Sequence, residues 1–208
     1  LIQSGLVQLS PDAPAWLVGP GGLSPNPLGG LVGIGGLLLL LAVQLTADQE
    51  AVLMSGEPVY TQTDMGSRGR GIAVFLVDAP VSKVWSTINN YSAYPSWIDG
   101  VEKCEEYKVA GNHHYVEFVV AKMGMSVQYY IDHTYGDNWI TWRLDYSRES
   151  DLDDSVGMWR LEPTSDGRTR VEYSVDVGVD AWVPGFVRSY LTDQGIKQAT
   201  EWVKKQAE

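Results

Sequence analysis

Val127, Tyr129, Ile131, His133 and Tyr135 alternate with Gln128, Tyr130, Asp132 and Thr134. Successive side chains of a β-strand point to opposite faces, so this pattern predicts a strand with one buried face and one wet face. The same period returns at 171–179, where Val171, Tyr173, Val175, Val177 and Val179 alternate with Glu172, Ser174, Asp176 and Gly178. Further strand-like runs at 72–77, 101–109, 114–123, 139–146 and 156–161 are separated by turn sequences such as YGDN and PTSDGRT. Strands in series with short turns predict an antiparallel meander.

Two segments have helical spacing instead. Val81, Val84, Trp85 and Ile88 follow Asp78 and Pro80, which predicts a helix capped by Asp78 and ended by NYSAYPSW. Pro184 opens a long amphipathic helix reaching about residue 206, with Val187, Leu191, Gly195, Ala199 and Trp202 on its inward stripe. A glycine in that stripe either leaves space between helix and sheet or lets the helix pack closely on a strand.

The N-terminal third is patterned differently. Residues 28–45 carry no charge, and Gln44 is their only polar side chain. Asn26 suits an N-cap, Pro27 a first helical turn and Gly56 a C-terminal stop, so one helix is expected over 27–55. The uncharged run reaches the roughly 18 residues at which a membrane-spanning reading opens. Gly29, Gly33 and Gly36 fall on one face, where small residues let a partner helix approach closely. A retained targeting remnant and a helix in the groove of a soluble assembly are the alternatives. A first residue of Leu1 rather than Met agrees with removal of an upstream targeting peptide. The expected organisation is an extended Gly/Pro-rich arm at 1–26, the packing helix at 27–55, a linker at 56–68 and a folded domain at 69–208.

Charge narrows the partners. The net charge of −11 lacks the clustered Lys and Arg that a phosphate backbone requires, which excludes nucleic acid. The same acidity disfavours anionic lipid surfaces, so attachment to a bilayer has to be apolar. The first basic residue is Arg68. Arg68, Arg70 and Lys83 then orient the folded domain toward cytosol, stroma or matrix. A single cysteine, Cys104, builds neither a disulfide nor a cysteine metal site within the chain.

Motifs for chemistry are sparse. GSRGRG lacks the Lys-Ser/Thr ending of a phosphate loop, and neither G-x-S-x-G nor H-E-x-x-H occurs. His113 and His114 are adjacent in a strand and point apart, so they do not chelate together. Glu149, Asp151, Asp153 and Asp154 lack the glycine turn and late glutamate of a calcium loop. Arg143 and Asp145 share a face with Trp139, expected to be the outer one.

The stretch VDAPVSKVWSTINNYSAYPSWIDGVEKCEEY, with Ala79-Pro80, Val84-Trp85, Tyr91, Tyr94-Pro95 and Trp97, resembles the opening of the START-like (SRPBCC) superfamily. The likeness is to its polyketide cyclase/dehydrase and coenzyme Q-binding group. VPGFVRSYL and ATEWVKKQAE resemble that group's final helix, so the resemblance spans about 71–208. It implies an α+β helix-grip fold, a curved antiparallel sheet wrapped on a long C-terminal helix. It also implies an internal cavity, for which the candidates are Tyr129, His133, Tyr135, Trp142, Trp159, Tyr173, Leu191 and Gly195. A quinone, lipid or pigment is the implied ligand class.

Three functions are expected in descending order. The first is a non-catalytic accessory subunit of a multi-subunit membrane complex, photosynthetic or respiratory. In it, residues 14–54 contact integral membrane subunits and the bilayer of a thylakoid or inner mitochondrial membrane. The second is a membrane-tethered carrier of an apolar ligand. The third is a cyclase-like enzyme, for which His133 and its neighbouring tyrosines are the available acid–base groups.

Overall fold

A computed structural model describes residues 43–64, 68–122, 124–178 and 195–208. The chain divides into two units, Leu1–Ala51 and Val52–Glu208. Gly29, Gly33, Gly36 and most of the expected packing helix lie outside the described residues, as does Leu191.

The expected single helix over 27–55 is corrected at its C-terminal half. Residues 43–46 are not helical, and helix α1 runs Ala47–Met54. Its start is a reciprocal capping box. The Thr46 hydroxyl accepts the Gln49 N–H at 3.3 Å, and the Gln49 side-chain oxygen accepts the Thr46 N–H at 2.9 Å. Among the described residues no helix is long and apolar enough to cross a membrane. The stop is where it was expected. Gly56 has a φ of 95°, and the N–H groups of Gly56 and Glu57 close on the carbonyls of Leu53 and Val52.

Among the described residues eight strands form one sheet. They are β1 (Val59–Asp64), β2 (Arg68–Val77), β3 (Val101–Ala110), β4 (His113–Lys122), β5 (Met125–Gly136), β6 (Trp139–Leu144), β7 (Asp154–Pro163) and β8 (Thr169–Gly178). Their order is β1-β2-β8-β7-β6-β5-β4-β3, with every neighbouring pair antiparallel. Strands β3 to β8 are the expected meander, and β2 closes onto β8. The stretch 56–68, expected as a linker, carries β1. Its six residues, VYTQTD, give too short a pattern to stand out beside a glycine-rich turn.

Helix α2 (Val81–Ile88) crosses between β2 and the meander. The expected Asp78 cap is corrected: Pro80 is the N-cap residue and makes no side-chain capping bond. Asp78 instead donates its N–H to the Glu208 carboxylate at 3.0 Å, tying the end of β2 to the C-terminus. A 3-10 turn (Tyr91–Ala93) and the short α3 (Tyr94–Trp97) follow.

Helix α4 (Gly195–Ala207) closes the chain. Ile196, Ala199, Trp202, Val203 and Ala207 keep helical spacing and are buried in the core. Gly71 of the sheet permits their close approach. A Cβ at Gly71 of β2 would stand 1.5 Å from Cδ1 of Ile196. The core also takes Ala73, Phe75 and Val77 of β2 and Val171, Val175 and Val177 of β8.

Candidate ligand cavity

The alternating faces of β5, β6 and β8 bring Tyr129, Ile131, His133, Ile140, Trp142 and Tyr173 to one side of the sheet. With Trp159 of β7 they form the wall of a cavity of about 180 Å³. Tyr91, Tyr94 and Ile88 close it from the α2–α3 segment, and Ala199 and Trp202 close it from α4. An open cleft of about 210 Å³ adjoins it, sharing Ile98, Gln198 and Trp202. That cleft is edged by Asp99, Glu201 and Lys205.

The walls are aromatic and mutually stacked. Trp159 and Tyr173 have ring centroids 4.3 Å apart, and Trp142 lies 5.8 Å from Tyr173 with planes 28° apart. Phe118 stacks on Tyr129 at 5.2 Å with planes 6° apart. Trp142 reaches this position because β7 has Gly157 beneath it: a Cβ there would stand 2.1 Å from Cζ2 of the indole. Such offset pairs add to the burial energy of their rings.

No Asp, Glu, Lys or Arg lines the cavity among the described residues. His133 is buried, and its Nδ1 has no hydrogen-bond partner. Burial pushes its pKa down to about 3, against a weaker opposing effect from a hydrogen bond to the His114 backbone. The ring is therefore neutral at physiological pH. Burial also raises the phenol pKa values of Tyr91, Tyr94 and Tyr173 well above the ordinary tyrosine value. The Tyr91 hydroxyl is paired with that of Tyr135, and Tyr94 donates to the Ile88 carbonyl.

Of the expected cavity residues, Tyr129, His133, Trp142, Trp159 and Tyr173 line the space. Tyr135 does not. It packs on the core beside Trp85, and its hydroxyl meets Tyr91. Gly195 is the first residue of α4. Lining residues outside the expected set include Tyr91, Tyr94, Phe118 and Ser155. Phe118 was visible in the alternation of Val116, Phe118 and Val120. Tyr91 and Tyr94 sit in a 3-10 turn and a single helical turn, where no period marks the buried side.

The cluster around Asp132 lies on the far face. His113 Nδ1 sits 2.7 Å from Asp132, which Arg143 also approaches at 3.3 Å. Asp145 accepts the Tyr107 hydroxyl at 2.6 Å. His114, on the inner side of β4, pairs with Glu106 at 2.6 Å. The two adjacent histidines thus point apart. Among the described residues no group of His, Cys, Asp and Glu is arranged to hold a metal ion.

A single sheet gripping a terminal helix around an aromatic cavity defines the helix-grip class, and the comparisons agree with it. Residues 73–208 match the family described as polyketide cyclase / dehydrase and lipid transport, and the chain belongs to that family. No curated protein matches the chain. The fold is shared with a START superfamily protein from Mycobacterium smegmatis (17% identity, TM-score 0.56, 66% of this chain and 96% of that one). It is shared equally with the TTHA0849 protein of Thermus thermophilus (19%, TM-score 0.55, 66% and 96%). A STAR-related lipid transfer protein fragment from Xanthomonas axonopodis also superposes (13%, TM-score 0.53, 71% and 98%).

Proposed function

We propose that this domain binds an uncharged apolar small molecule in its cavity and holds or carries it without chemical change. The observation that supports this most is an aromatic space that no Asp, Glu, Lys or Arg lines among the described residues, and in which His133, Tyr91, Tyr94 and Tyr173 are held neutral. An ionised ligand there would lack a counter-charge, and an isolated buried charge is costly. General acid–base catalysis works best with a group titrating near the working pH. His133, pushed down to about 3, and the buried tyrosines, pushed up, are far from it. The family description covers both cyclases and lipid transport, so membership alone does not choose between them.

The test is a thermal-shift screen of the full chain against uncharged phenols, quinones, terpenes, fatty alcohols and sterols. At least one class is expected to raise the Tm, by mass action on the folded state. The rise should vanish in Ala199→Phe, which fills the cavity from α4. A flat response to every class overturns the reading. The expectation of an accessory subunit in a membrane complex rests on residues 14–54, and nothing in the described domain adds to it.

A further inference from the structure

We infer, resting on the binding reading above, that the occupant is a planar, uncharged phenol of one or two fused rings, and that Gly157 sets this size limit through Trp142.

Volume comes first. The cavity of about 180 Å³ is close to the ~150 Å³ apolar cavity that admits benzene, and below the ~300–1,000 Å³ typical of pockets for drug-sized ligands. One or two rings fill it, whereas a sterol, a four-ring polyketide or a long acyl chain has to extend into the adjoining cleft edged by Asp99, Glu201 and Lys205. Shape comes second. Trp142, Tyr173 and Trp159 present a continuous aromatic wall, with Phe118 and Tyr129 stacked as a second pair. Flat rings gain offset stacking against such walls, while a flexible chain gains only area and loses rotamer freedom.

The polar group comes third. His133 is 6.1 Å from Trp142 and 5.4 Å from Tyr91 between ring centroids, so its imidazole interrupts the aromatic lining. A neutral imidazole has one N–H and one lone pair, and its nitrogens differ in which is which. A hydroxyl both donates and accepts, so a phenol satisfies either tautomer, whereas a quinone carbonyl only accepts.

Gly157 acts as the gauge. A Cβ at this position would stand 2.1 and 2.5 Å from Cζ2 and Cε2 of Trp142 and 2.4 Å from the Ser174 carbonyl oxygen. The indole therefore rests on bare backbone. Any side chain at 157 drives it inward, into the space a second ring would use.

Calorimetric titration of the full chain with p-cresol, 2-naphthol, 2-naphthoate, 2-anthrol and 1-dodecanol tests this. Both p-cresol and 2-naphthol are expected to bind. The carboxylate, the three-ring phenol and the flexible alcohol should each bind at least tenfold more weakly than 2-naphthol. Equal or tighter binding of dodecanol, anthrol or naphthoate overturns the ligand class while the binding reading stands. Failure of all five to bind, with another compound raising the Tm in the screen, also overturns the class alone. Failure of every compound in both experiments removes both. In Gly157→Ala, 2-naphthol should weaken at least tenfold more than p-cresol, and equal weakening overturns the role of Gly157. Trp142→Phe tests the same gauge in the opposite direction without crowding the backbone: anthrol should gain at least tenfold, and no gain contradicts it.

Discussion

Gly71 and Ile196 are joined by a contact that no other residue type at position 71 allows: a Cβ there would stand 1.5 Å from Cδ1 and 2.7 Å from Cγ1 of the isoleucine. This is where α4 rests on β2, so it fixes how far the helix stands from the sheet and hence one boundary of the cavity. Gly71→Ala is expected to cost about 1–3 kcal/mol through overpacking. Ile196→Ala alone should cost about 2–5 kcal/mol through its cavity. The double variant should lose less than the sum, because the new methyl enters the space the isoleucine left. Urea titration of the four proteins measures this, and strict additivity would contradict the contact.

The Tyr91–Tyr135 hydroxyl pair offers a second cycle. Both rings lie against the core, and the Tyr91 ring is buried. Burial raises the Tyr135 pKa to about 12, so both groups are neutral phenols at working pH. Tyr135→Phe is expected to destabilise by about 1–3 kcal/mol by leaving a buried hydroxyl without its partner. Adding Tyr91→Phe should recover part of that loss, since two apolar rings of the same shape leave nothing unsatisfied. A double variant as unstable as the sum of the singles would argue against the bond.

His133 gives a pH signature with a defined sign. Its folded pKa of about 3 lies below the ordinary histidine value of 6.5. The unfolded chain therefore binds a proton that the folded chain refuses. The contribution is fully present above about 6.5, and stability falls as the pH drops from there toward about 3, by up to roughly 1.4 kcal/mol per pH unit. Carboxylates such as Glu117 and Asp166, whose pKa values are lowered by bonds to Lys103 and Arg168, lose stability at the acid end of the same range. Comparison with His133→Phe isolates the histidine. The variant should show a shallower fall between pH 6.5 and 4.5, and identical slopes would mean that His133 is not held neutral.

Much of the domain was legible because its strands alternate cleanly. The period through Tyr129, Ile131 and His133 placed all three on one face, and the helical spacing of Ala199 and Trp202 placed both inward. Tyr135 obeys the same period but ends beyond the cavity, because it lies near the end of β5, where Trp85 and Tyr91 cover it. Local pattern carried no record of contacts between distant positions. The purpose of Gly71 and Gly157 depends on Ile196 and Trp142, which only the sheet brings near. The Thr46–Gln49 capping box was visible, but the apolar run before it dominated the reading and hid the helix start.

The most direct measurement is the set of assigned tryptophan indole N–H resonances of the full chain during titration with 2-naphthol. Trp142 and Trp159 line the cavity, whereas Trp139 sits on the opposite face of β6 against Gly136. Saturable shifts at Trp142 and Trp159, with Trp139 unmoved, are the expected result. Shifts confined to Trp139, or no saturable shift at Trp142 and Trp159, would contradict a ligand in the cavity.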